Sequence, residues 1–197
     1  MGGCCGSSAG IVADDAGVRI HLLGGFEVTV ADRPVAADAW RLRKAKTLVK
    51  LLTLARGHRL HREALVAVLW PDRDGASATN NLHQALYVAR RTLAGTSAAL
   101  CCLRDDVVLL SDGTMPWLDT DAFAAACRRA HQTRNPDDYR AAAELYRGDL
   151  LPEDRFEDWS EGPREALRER HFGLLAEYAD VLSDRGDTPR PWTSRAP

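Results

Sequence analysis

Apolar positions change their spacing several times along this chain, and each change marks a different kind of element. The runs VRIHLL (18–23) and FEVTV (26–30) are short and β-rich, with Gly24-Gly25 between them. Glycine supplies the positive φ that a tight turn demands, so the pair predicts an antiparallel hairpin. Asp32-Arg33-Pro34 predicts a further turn and Val35-Ala36 a third short strand. From there the period becomes helical. Leu42, Ala45, Leu48, Val49, Leu52 and Ala55 line one stripe of a helix over 41–55, which Gly57 stops. A second helix is predicted over 62–69, with Leu65, Val66, Val68, Leu69 and Trp70 as core candidates. Pro71 ends it, because proline lacks the amide hydrogen a helix uses. A third helix runs from Ser77, read as its N-cap, to Leu93. Two more apolar runs, at 100–103 and 107–110, flank Arg104-Asp105-Asp106 and predict a second hairpin.

The third helix has two unlike faces. At about 100° per residue, Leu82, Ala85, Leu86, Ala89 and Leu93 share one arc of about a hundred degrees. The opposite arc carries Asn80, His83, Gln84, Tyr87, Arg90 and Arg91. An ordinary solvated face is rich in Glu and Lys, and this one has neither. Asn and Gln pair bidentately with adenine, Arg pairs with guanine or phosphate, and Tyr and His reach phosphate or the thymine methyl. A hairpin directly after such a helix is a wing, with Arg104 at its tip a candidate minor-groove or phosphate contact.

Charge sharpens the picture. Residues 40–93 hold eleven Lys or Arg against three acidic residues, about +8 in a chain of net charge -2. Arg43, Lys44 and Lys46 of the first helix are candidate phosphate contacts within that segment. Residues 105–187 hold twenty acidic and ten basic residues, about -10. A basic stretch followed by an acidic one predicts two domains with different tasks.

In the acidic half, helical spacing is legible over 121–131, 136–146 and about 162–182. Ala141, Leu145 and Tyr146 form one stripe, and Leu167, Leu174, Leu175, Tyr178 and Leu182 another. The expected organisation is a disordered leader (1–16), a winged-helix DNA-binding domain (17–112), a partial helical domain (117–187) and a disordered tail (188–197). The expected fold is mainly α with small β elements: a winged helix-turn-helix followed by amphipathic helices.

Several chemistries find no footing in the sequence. No apolar run reaches the eighteen residues a membrane span needs. Cys4, Cys5, Cys101, Cys102 and Cys127 show no CxxC or Cys/His spacing, and are read as thiols of a reducing cytoplasm. His58 and His61 lack further ligands at metal spacing. No glycine-rich phosphate loop and no nucleophile–base pair is legible, so the chain is read as a non-enzyme without cofactor.

The order strand–strand–three helices–hairpin resembles the OmpR/PhoB-type winged helix. The segments RKAKTLVKLLTLARGHRLHREALVAVLWPD (43–72) and ASATNNLHQALYVARRTL (76–93) are closer still to the DNA-binding domain of SARP-type transcriptional activators. In that family an LWPD-like motif closes the second helix. Asn80, Leu82, Arg90, Arg91 and Leu93 match its recognition-helix pattern. Further on, WLDTDAF (117–123), the corner RGDLLP (147–152) and Trp159 resemble the bacterial transcriptional activator domain, which implies that the helices of the acidic half are tetratricopeptide-like (TPR-like) helical hairpins.

The resemblance implies a cytoplasmic, nucleoid-associated activator of transcription without catalysis. Its third helix would enter the major groove of double-stranded promoter DNA, with the first helix and the wing on the backbone. It implies a dimer on direct-repeat sites, and an acidic helical half that meets RNA polymerase or another regulator. Family members continue with further helices, so the last helix here (164–182) is expected to expose apolar surface. The pattern departs at Thr79 and Val88, where cations are common in the family. That departure motivates an alternative, a helical-repeat interaction module whose winged helix is a scaffold that has lost specific DNA binding.

Overall fold

The computed structural model describes residues 17–73, 75–94 and 100–186. The expected disordered leader (1–16) and tail (188–197) lie outside the described residues. The first hairpin forms as the sequence predicts. β1 (Val18–His21) and β2 (Glu27–Val30) pair antiparallel, with Val18 opposite Val30 and His21 opposite Glu27. The next turn is tighter than expected. Ala31 and Asp32 both take positive φ (49° and 59°), so β3 is Arg33–Pro34 rather than Val35-Ala36. Pro34 thereby lies on an edge strand, where its missing donor costs nothing.

Three helices follow: α1 (Arg43–Leu54), α2 (Arg62–Leu69) and α3 (Gly75–Thr92). Ser77 is not the N-cap of α3, because the helix begins two residues earlier. Gly57 does not end α1 directly either. Ala55 is already extended (φ -66°, ψ 143°), and Gly57 (φ 68°) lies in a 3₁₀ turn that steers the chain into a strand. That strand, β4 (Arg59–His61), was not legible in the sequence. It completes the wing with β5 (Leu100–Arg104) and β6 (Val107–Ser111), in the order β4-β6-β5. Asp105 and Asp106, at φ 45° and 66°, form a two-residue turn between β5 and β6.

The chain then crosses back. β7 (Trp117–Leu118) pairs in parallel with β1, giving a sheet of order β3-β2-β1-β7. It leads straight into α4 (Asp119–Thr133), which is followed by α5 (Pro136–Leu145) and α6 (Asp158–Asp184). Asn135 caps α5 by accepting the Asp137 amide at 3.2 Å, and Pro136 occupies the first helical position. α6 is longer than its apolar stripe predicts and carries Pro163 inside it.

One apolar core runs through both halves. Ala45, Leu48, Val49 and Leu52 of α1 lie among Leu65 and Leu69 of α2 and Leu82, Ala85, Leu86 and Ala89 of α3. In the helical half the buried set includes Phe123, Tyr139, Ala142, Leu167, Leu174 and Val181. Three expected core positions are instead on the surface: Val68, Ala141 and Leu175. Each lies at the margin of its stripe, where helix rotation by tens of degrees decides burial.

Polar contacts lock the halves together. The buried Asp119 carboxylate accepts the amides of Leu22 (3.0 and 2.9 Å to its two oxygens) and Leu23 (2.8 Å). Lys50 of α1 is 2% exposed, and its ammonium meets Glu153 Oε1 at 2.8 Å and also Asp154. The RGDLLP corner lies along the Gly24-Gly25 turn. Gly24 N donates to the Asp149 carbonyl and Leu151 N to the Leu22 carbonyl, both at 2.9 Å. A Cβ on Gly148 would stand 3.2 Å from Gly24 Cα, so two glycines are needed where these backbones meet.

Removing Lys50 leaves the buried Asp154 carboxylate without its counter-charge, with Glu153 at the solvent edge of the same gap. Lys50→Ala is expected to cost about 3–5 kcal/mol, read as a lower urea midpoint in a single transition that reports both halves. Acid should act on the same seam. The Arg168 guanidinium holds the Asp149 carboxyl below its ordinary value. Burial pushes Glu153 up, but its bond from Lys50 and backbone amides leave it lower on balance. Both groups stabilise the fold above the unfolded carboxylate pKa of about 4, and that contribution is lost as pH falls through their lower folded values. The urea midpoint should fall steeply below about pH 4, and Arg168→Gln should make the fall shallower.

Candidate nucleic-acid interface

The core decides which face of α3 meets solvent. Ala78, Leu82, Ala85, Leu86 and Ala89 are buried, and Leu93 just beyond the helix is 2% exposed. Asn80, His83, Gln84, Tyr87, Arg90 and Arg91 are all exposed on the other side, Tyr87 at 60%. None of these six side chains forms a hydrogen bond or ion pair with the described residues. Their donors and acceptors are therefore available to a ligand, and two guanidinium groups stand unneutralised. Arg90 stands close enough to the buried Cys101 to oppose, weakly, the desolvation that pushes that thiol up to about 12.

The two departures from the family pattern flank this face. Val88 is half-buried against the core. Thr79 donates back to the Gly75 carbonyl at 2.7 Å. At about 100° per residue both lie some 80–100° from the middle of the exposed arc.

The other candidates are placed less uniformly. Arg43 Nη2 stands 3.6 Å from Glu157 of the helical half, with the arginine side chain 83% exposed. An exposed pair of that kind is worth under about 1 kcal/mol and does not commit the arginine. Lys46 Nζ lies over the Phe26 ring, 5.1 Å from its centroid, so it covers the seam. Lys44 is half-buried and has no ion pair among the described residues. Arg104 is the last residue of β5, one step short of the turn, and its guanidinium is taken by Asp112. The tip itself is acidic and tied to α2, since the Asp106 carbonyl accepts the Arg62 amide at 2.7 Å and its carboxylate lies 3.1 Å from Arg62 Nε. The structure thus brings six candidates together on α3 and scatters Arg43, Lys44, Lys46 and Arg104.

Two cations escaped the sequence reading. Arg56 and Arg59 line a depression of about 440 Å³ on the wing together with His61 and Arg104, and neither has an ion pair among the described residues. The signal lay in RGHRLHR (56–62), where Arg59 and His61 flank Leu60 at strand spacing. It was hidden because β4 is only three residues long. His58 is used structurally: its ring bridges the Thr53 carbonyl and the Asp121 carboxylate, each at 3.0 Å, clasping α1 to α4. Among the described residues no group of three or more His, Cys, Asp or Glu is placed to hold a metal. No helix among them is long and apolar enough to cross a membrane.

No protein-family model matches the chain, and no curated protein does. Among solved structures it is similar to Mycobacterium tuberculosis EmbR, determined in complex with a low-affinity phosphopeptide. The identity is 21% and the TM-score 0.67, over 86% of this chain and 46% of that one. A likeness at that identity is one of fold: mainly helical, with a winged helix-turn-helix followed by helical hairpins. The chain spans less than half the length of EmbR.

The two faces of α3 should separate in stability measurements. Leu86→Ala is expected to cost about 2–5 kcal/mol through the cavity it opens. Its neighbour Tyr87→Ala should stay within about 0.5 kcal/mol. Urea unfolding of the two variants side by side checks the assignment, and a large loss at Tyr87 would contradict it.

Proposed function

We propose that this chain is a sequence-specific DNA-binding regulator of transcription, an activator, that reads the major groove with the exposed face of α3. The carrying observation is that face: Asn80, His83, Gln84, Tyr87, Arg90 and Arg91 exposed together and unpartnered on a helix held rigid by its other side. Asn80 and Gln84 supply bidentate readers of adenine, and Arg90 and Arg91 readers of guanine or anchors on phosphate. Lys44, Arg56 and Arg59 supply backbone contacts around it, with Arg43 and Arg104 recruitable at the small cost of breaking surface pairs. The family resemblance adds a promoter target, direct-repeat sites bound by a dimer, and RNA polymerase or another regulator as the partner of the acidic half.

A second reading keeps the winged helix as a scaffold for a protein-interaction module. It is favoured by the acidic wing tip at Asp105-Asp106 and by the engagement of Arg104 with Asp112.

Fluorescence anisotropy on the chain's own promoter region separates the two. Arg90→Ala and Arg91→Ala are each expected to weaken binding roughly 5- to 150-fold, equivalent to about 1–3 kcal/mol. Wild-type affinity should fall steeply with salt as phosphate-bound counterions are displaced. Wild-type binding left intact in both variants, or no binding at 50 mM salt on any promoter fragment, overturns the DNA-reading proposal.

A further inference from the structure

Phe156 is 85% exposed, more than any other large hydrophobic side chain among the described residues. A phenylalanine on a loose loop can fold back onto the protein. Here the backbone on both sides of it is pinned, so the ring reaches only what its own rotamers allow. Arg164, buried on α6, donates from Nε to the Leu150 carbonyl at 2.9 Å, from Nη1 to the Arg155 carbonyl at 3.2 Å and from Nη2 to the Leu151 carbonyl at 3.3 Å. The fully buried Ser160 hydroxyl lies 2.7 Å from the Asp154 carbonyl and 2.8 Å from that of Glu157. Just before, Glu153 and Asp154 grip Lys50 of α1. The ring is left with the Arg155 guanidinium, 4.5 Å from its centroid, as its companion.

The surroundings are anionic. Glu157 and Asp158 follow Phe156 in the chain and Glu161 comes about one helical turn later, all three exposed, while the cations near them are Arg155 and Arg43, the latter 3.6 Å from Glu157. That charge repels phosphate, so the knob does not suit DNA or an anionic lipid surface. It suits a protein. Interfaces concentrate their energy in aromatic anchors that enter a pocket, and a rim of charge steers the approach. A backbone already fixed in place spares the ordering cost that a flexible segment would meet on binding.

We infer that the turn 152–157 is a rigid docking knob that inserts Phe156 into an apolar pocket rimmed by Lys and Arg on a partner protein. This rests on the regulatory reading above and names the surface by which the helical half meets its partner. The location fits, since Glu157 is 3.6 Å from Arg43 and Lys50 roots the same turn in α1. A partner seated on Phe156 would lie directly against the winged helix.

The test uses the whole chain, with bacterial RNA polymerase holoenzyme as the probe. Binding is measured by interferometry both on and off promoter DNA. Phe156→Ala is expected to lose tenfold or more in polymerase affinity while DNA affinity and thermal midpoint stay unchanged. Phe156→Trp should retain binding, and Asp158→Asn with Glu161→Gln should slow association several-fold at low salt. Wild-type polymerase affinity in Phe156→Ala overturns the inference, as does a wild-type chain that binds DNA but not polymerase. A concentration-dependent self-association that Phe156→Ala abolishes also overturns it, by naming a second copy as the occupant. If DNA binding fails while Phe156→Ala still loses polymerase, the knob stands and the DNA reading falls.

Discussion

An ammonium group sealed from water has to be met by carboxylates, and in this protein those carboxylates come from a hundred residues away. Lys50 projects from the first helix of the winged helix and is 2% exposed, while Glu153 and Asp154 belong to the helical half. Isolating either of the two buried charges, Lys50 or Asp154, would cost several kcal/mol, so the halves are held to one arrangement. Asp119 repeats the device from the other side. Its carboxylate, at the start of α4, is satisfied by the Leu22 and Leu23 amides at the end of β1. The RGDLLP corner then fits against Gly24, where a Cβ on Gly24 or Gly148 would crowd the facing backbone at 3.2–3.3 Å. The strand, the first helix and the helical hairpins are thus positioned by a few charges and two glycines.

With that frame fixed, the distribution of neutralised and open charge acquires meaning. Several arginines of the helical half are answered by nearby carboxylates: Arg129 by Asp138 at 2.9 Å, Arg140 by Asp137 at 2.7 Å, and Arg168 by Asp149. Those on the exposed face of α3, Arg90 and Arg91, have no ion pair among the described residues, and neither do Arg56 and Arg59 on the wing. A chain of net charge -2 can therefore carry a strong local positive field. The turn at Phe156 is its counterpart, an apolar side chain held in water and followed in the chain by Glu157 and Asp158.

Much of the fold was legible because local periodicity encodes it. α2 has the predicted bounds, Arg62–Leu69, and the buried and exposed arcs of α3 match residue by residue. The first hairpin follows from two β-rich runs around a glycine pair. What escaped were elements too short to have a period. β4 has three residues and β7 two, and each is a strand only because a partner from elsewhere lies alongside. The same holds for the site. The α3 face could be read from spacing, whereas Arg56 and Arg59 needed β4 to become visible. The engagement of Arg104 with Asp112 depends on how the hairpin closes.

The sequence alone determined the helices, the hairpins, the exposed polar face of α3 and the separation of basic from acidic segments. These depend on residue order over distances of a few turns, where spacing and turn chemistry suffice. Only the tertiary structure decided which charges are spent and which are open. It buried Lys50, drew Arg43 and Lys46 toward the seam, opened Arg56 and Arg59, and pinned the turn that holds Phe156 in solvent. The reason is physical. A charge or an apolar ring takes its role from the groups brought within a few ångströms of it, and for these residues most of those groups lie far away in the chain.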